Sequence, residues 1–155
     1  MKNRMLVALA VVGFVGLTIA VGSLLAAEKA DLSKVTCPVS GKAVNPDATV
    51  DYKGGEVYFC CENCPKAFAK DTAKFATKAN HQLIMTGQAA QAKCPISGKK
   101  TKDTSALDVA GVSVVFCCDS CKGKVDKAEG DAQLDLVFGD KAFGKAFVVA
   151  TAVEK

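Results

Sequence analysis

Cys37-Pro38-Val39-Ser40-Gly41-Lys42 and Phe59-Cys60-Cys61-Glu62-Asn63-Cys64 recur, 57 residues further on, as Cys94-Pro95-Ile96-Ser97-Gly98-Lys99 and Phe116-Cys117-Cys118-Asp119-Ser120-Cys121. All 8 cysteines of the 155-residue chain belong to this repeat. A fixed internal period marks one folding unit copied in tandem, and cysteine spacing kept to the residue marks sulfurs that the unit needs. Each copy is short enough that a hydrophobic core alone is marginal and staples help.

Working outward, each copy opens on its Cys-Pro turn and continues into a hairpin. Ala48 to Tyr52 and Glu56 to Cys60 are strand-like around Lys53-Gly54-Gly55, and Ala106 to Val109 and Val112 to Cys117 flank Ala110-Gly111. The glycines supply the positive φ of a tight turn. After the last cysteine, Pro65 to Asp71 and Lys122 to Lys127 read as short helices, with Pro65 tolerated in the first turn. Phe68 and Phe75 are spaced like one inner helical face. The closing segments contain the apolar runs Leu83-Ile84-Met85 and Phe147-Val148-Val149, each expected to add a strand. The fold class is therefore α+β, with a first module over 33–86 and a second over 87–155.

The chain begins with Lys2 and Arg4, runs uncharged from Met5 to Ala27, and meets Glu28. That layout is an export segment over 1–27, either a cleaved signal peptide or an N-terminal anchor using residues 5–25. The cysteines then lie outside the cytoplasm, in a periplasmic or other extracytoplasmic compartment, and contact with a membrane is expected only through the N-terminal segment. The net charge of +4 includes Lys2 and Arg4, and tryptophan is absent. A near-neutral remainder with no aromatic-laced basic patch argues against nucleic acid as a partner.

The spacing Cys37-x22-Cys60-x3-Cys64 brings a turn at the start of the module against a cluster at the end of a hairpin. The same holds for Cys94, Cys117 and Cys121. Three or four converging thiolates suit zinc or copper(I), at one ion per module. Ser40 and Ser97 stand where a Cys-x-x-Cys knuckle would carry its second cysteine. Side chains alternate along a strand, so Cys60 and Cys61 are expected to face differently, leaving Cys61 and Cys118 as fourth ligands or uncommitted.

This pattern resembles the cysteine-rich YHS and TRASH-like domains over most of 36–75 and 93–127. Tyr58-Phe59-Cys60-Cys61-Glu62-Asn63-Cys64-Pro65-Lys66-Ala67-Phe68 looks like the second half of that motif. The resemblance implies treble-clef or zinc-ribbon-like modules and a role in trafficking, resistance or sensing of heavy metals, with metal ions and a metal-handling protein as partners. Neither copy contains the literal Tyr-His-Ser string.

Three other readings stand beside this one. Exported chains with even cysteine counts are often disulfide scaffolds, but adjacent cysteines fit ordinary disulfide geometry poorly. A structural zinc module is a second. Thiol-disulfide exchange is a third, since Cys61-Glu62-Asn63-Cys64 and Cys118-Asp119-Ser120-Cys121 precede helices, although Cys37 and Cys94 have no part in it. His81, the single histidine, faces Phe138 in the repeat register and is read as a local polar contact. No triad or histidine-carboxylate zinc site can be assembled, and an enzyme is not expected.

Overall fold

The computed structural model describes residues 31–150. The export segment over 1–27, the anchor over 5–25 and the last five residues of the second module lie outside the described residues. Those that remain form a small α+β fold. In chain order the elements are β1 Asn45–Tyr52, β2 Gly55–Phe59, α1 Asn63–Lys70, α2 Thr72–Met85, β3 Ala89–Gln91, β4 Ala106–Val109, β5 Val112–Val115, α3 Asp119–Asp126, α4 Gly130–Phe138, α5 Asp140–Ala146 and β6 Phe147–Val149.

Both hairpins form where alternation and glycine place them. β1 pairs antiparallel with β2, closing at Tyr52↔Gly55, and β4 pairs with β5, closing at Val109↔Val112. Each loop is therefore two residues. Lys53 and Gly54 have φ of 53° and 87°, and Ala110 and Gly111 have 52° and 83°. Two successive positive φ values match the twist of the flanking strands. Gly55 has a different task from the turn role given to it: a Cβ there would lie 2.9 Å from Leu83 Cδ2 and 3.0 Å from Gln88 Oε1. It is a glycine of close approach, letting β2 settle onto α2.

Two expectations are corrected. Leu83-Ile84-Met85 is not a strand but the last turn of α2, a 14-residue helix capped by Asp71, whose side chain accepts from Lys74 N–H at 3.2 Å. Phe68 and Phe75 do not share one helix, because the chain breaks at Asp71. Their rings still pack, with centroids 6.4 Å apart. Phe147 to Val149 is a strand, as expected, but it pairs with β3 across the repeat, Ala90 opposite Val148.

The first copy's α2 corresponds by register to α4 and α5 together. The position equivalent to Gln82 is Gly139, where φ −56° and ψ 151° interrupt the helix. A Cβ at Gly139 would also meet the Asp135 carbonyl.

The two copies bury one continuous core. Phe59, Val57, Leu83, Phe116, Val114, Val125, Val137 and Phe138 are all fully buried, and the cysteines Cys37, Cys64, Cys94 and Cys121 lie within the same cluster. Polar groups are satisfied where the copies meet. Asn80, fully buried on α2, donates to Phe138 O at 2.8 Å and to Asp140 Oδ1 at 3.1 Å, while Lys53 Nζ from the first hairpin turn reaches Asp140 at 2.7 Å. His81 makes a polar contact, but not a local one: its Nε2 lies 3.1 Å from Ala110 O in the turn of the second hairpin, and its ring 4.8 Å from that of Phe138.

Candidate metal centre

Each Cys-Pro-x-Ser-Gly-Lys segment closes as a tight knuckle. Cys37 N–H donates to Lys42 O and Gly41 N–H to Cys37 O, both at 2.8 Å; in the second copy Cys94 and Gly98 make the same bonds at 2.9 and 2.8 Å. Gly41 and Gly98 have φ of 71° and 72°, a left-handed conformation that a side chain would resist. The knuckle hangs one buried sulfur, Cys37 or Cys94, over the end of the hairpin.

The other sulfurs arrive where β2 and β5 run out and α1 and α3 begin. The thiol sulfurs of Cys37, Cys60 and Cys64 all lie within 4.8 Å of one another, as do those of Cys94, Cys117 and Cys121. Cys60 Sγ to Cys64 Sγ is 3.5 Å and Cys117 Sγ to Cys121 Sγ is 3.7 Å. With metal–sulfur bonds of about 2.3 Å, sulfurs sharing one tetrahedral ion stand roughly 3.8 Å apart. The two groups of three cysteines could each hold a metal ion.

The fourth cysteine stands outside each group of three. Cys61 Sγ is 3.8 Å from Cys60 Sγ and 3.6 Å from Cys64 Sγ, and Cys118 Sγ is 3.7 Å from Cys117 Sγ. Cys61 is exposed and Cys118 half-buried. Strand alternation does not explain the difference, because β2 ends at Phe59 and β5 at Val115. Both members of each pair lie past the strand, and the bend into the helix sorts them.

Ser40 and Ser97 are more than missing cysteines. Ser40 Oγ lies 3.1 Å from Cys60 Sγ and Ser97 Oγ 3.1 Å from Cys117 Sγ. Each hydroxyl oxygen accepts from a backbone N–H, of Lys42 at 3.3 Å and Lys99 at 3.2 Å, which leaves its proton free for sulfur. Repetition of the serine in both copies was the available signal.

The sulfurs differ in basicity. Burial pushes the Cys37 thiol up, but hydrogen bonds from the Ser40 side chain and from the backbone N–H groups of Cys60, Ser40 and Val39 outweigh it and bring the group to about 7. Cys94 behaves alike, burial being outweighed by Ser97 and the N–H groups of Ser97, Cys117 and Ile96, again to about 7. One hydroxyl proton serves one sulfur at a time, so it goes to whichever is ionised. Cys64 and Cys121 are pushed up to about 12, first by burial and then by hydrogen bonds with the neighbouring thiols. Cys61 is lowered by the N–H groups of Asn63 and Cys64, and Cys118 by that of Cys121, as expected at the start of a helix. In the metal-free protein the inner helix cysteines Cys64 and Cys121 keep their protons at neutral pH, while Cys37 and Cys94 give theirs up far more readily.

Such a cluster can do three things chemically: bind a soft or borderline cation, bind it through three sulfurs with a fourth alongside, and release protons as it does so. No family model, curated protein or solved structure matches the chain.

Proposed function

We propose that this is an exported, non-enzymatic heavy-metal-binding protein, with two thiolate sites that take zinc or copper(I) for trafficking, resistance or sensing. The observation that carries the reading is the convergence of a knuckle sulfur and two helix-start sulfurs, twice, at spacings that suit one ion. On this reading each half is a treble-clef-like module of the YHS or TRASH kind, the ion is held by Cys37, Cys60 and Cys64 or by Cys94, Cys117 and Cys121, and Cys61 and Cys118 stand beside it. Bound metal would supply the cross-link between knuckle and helix. The partner is a metal-handling protein outside the cytoplasm.

The exposure of Cys61 bears on the choice between delivery and structure. A site whose fourth sulfur meets solvent is open to ligand exchange, whereas a structural site is closed on all sides. Chelator competition separates them: a delivery site gives up its ion while the protein stays folded, and a structural site releases it only as the protein unfolds.

The same feature favours thiol-disulfide exchange as a second reading, since Cys61 is exposed, lowered, and 3.6 Å from Cys64. Catalysed reduction of insulin by the full chain, abolished by Cys61→Ser and Cys118→Ser together with metal binding intact, would establish it over the first.

A further inference from the structure

Two glutamines do the same job in the two copies without being equivalent in sequence. Gln82, on α2 and 2% exposed, accepts from Tyr58 N–H at 2.6 Å through Oε1. Its Nε2 donates to Tyr58 O at 2.9 Å and to Thr36 O at 3.1 Å. Gln91, on β3, accepts from Val115 N–H at 2.9 Å and donates to Val115 O at 2.6 Å and to Lys93 O at 2.9 Å.

Tyr58 and Val115 are counterparts, each two residues before Cys60 or Cys117. Thr36 and Lys93 are counterparts too, each immediately before the knuckle cysteine. The glutamines are not: the counterpart of Gln82 is Gly139, where the helix is interrupted. A side-chain amide therefore bridges the same two backbone points in both copies, reached once from a helix and once from a strand.

We propose that Gln82 and Gln91 are positioning residues of the two thiol sites, each fixing the distance between the knuckle sulfur and the sulfurs at the hairpin's end. An amide that both donates and accepts imitates the missing neighbour of a strand, satisfying backbone groups that burial would otherwise leave unpaired. The three contacts join the lead-in of Cys37 to the lead-in of Cys60, and those of Cys94 to Cys117. The bridge works beside the Ser40–Cys60 and Ser97–Cys117 contacts and, in the first copy, the pairing of Asn45 with Phe59. The inference rests on the metal reading above for what the geometry serves.

Gln88 provides the control. It bonds Glu56 on the same strand with the same two-way pattern, Oε1 accepting at 2.6 Å and Nε2 donating at 2.7 Å, but touches no residue of the knuckle. In the full chain, cobalt(II) titration followed by the sulfur-to-metal charge-transfer absorption is expected to show two sites. Gln82→Met should weaken the first alone, and Gln91→Met the second alone, by about 10- to 100-fold as for other residues that orient metal ligands, with an altered band shape. Gln88→Met should leave both unchanged.

Gln82→Glu keeps the shape and the acceptor toward Tyr58 N–H. It loses the donor toward Tyr58 O and Thr36 O, so it too should weaken the first site alone, and Gln82→Asn takes the place of Gln82→Met if that variant does not fold. Native affinity and spectrum in the Gln82 variants, or equal weakening of both sites, would overturn the proposal. Should the wild-type chain take up no cobalt, the metal reading fails by itself. The positioning role is then decided by bridging of the metal-free thiols with dibromobimane: a lower yield confined to the first cluster in Gln82→Met supports it, and an unchanged yield refutes it.

Discussion

Raising the pH from 7 to 8 should tighten metal binding at each site by at least about tenfold. Cys64 and Cys121 are pushed up to about 12 by burial and neighbouring thiols, so both remain thiols across this range. Binding must expel the thiol proton, and every proton expelled makes affinity rise about tenfold per pH unit. Cys37 and Cys94, at about 7, are half protonated at pH 7 and mostly ionised at pH 8, so they add a fraction of a proton that fades as pH rises. The sign is fixed: acid competes with metal, and affinity falls as pH falls. Competition against a chelator of known pH dependence gives the slope, and calorimetry in two buffers of different ionisation enthalpy counts the protons. A slope below one proton per ion, or no buffer dependence, would refute the assignment of Cys64 and Cys121 as ligands.

Further outcomes follow from the same geometry. Cys37→Ser should abolish binding at the first site and spare the second, and Cys94→Ser the reverse, each loss exceeding the roughly 100-fold typical of supporting residues; retention of two ions at native affinity in either variant would show the knuckle sulfurs to be idle. Cys60→Ser and Cys117→Ser should cost more affinity than Cys61→Ser and Cys118→Ser, because only the former lie in the groups of three, and equal severe losses in metal titrations would indicate four-sulfur sites. Gly55→Ala should destabilise the metal-free protein by about 1–3 kcal/mol, since its Cβ would press on Leu83 at 2.9 Å; a thermal midpoint equal to the wild type would show that β2 and α2 are free to separate.

The repeat made the hairpins, their positive-φ turns and the short helices after each cysteine cluster legible in the sequence, because strand alternation, glycine and proline each act locally. The long helix α2 was not. Its buried residues are Ala76, Ala79, Asn80, Gln82 and Leu83, mostly small and polar, so the apolar run at its end stands out as a strand instead. The pairing of β3 with β6 was hidden for a related reason: Ala89-Ala90-Gln91 is too short and too bland to announce a strand. At the sites, spacing alone singles out Cys37, Cys60 and Cys64 and their copies. The serine hydroxyls and the glutamine bridges depend on distances between remote segments, and Gln82 and Gln91 leave no trace in the repeat at all.

If the doubled cysteine pattern is a doubled metal site, the chain binds two ions. The most direct test is elemental analysis of the full chain purified without oxygen, run beside a titration of accessible thiols before and after metal removal. Close to two ions of zinc or copper per chain are expected, with the sulfurs shielded until the metal is withdrawn and then reactive as free thiols. A chain that carries no metal under these conditions, with its 8 cysteines locked in disulfides, would contradict the metal reading.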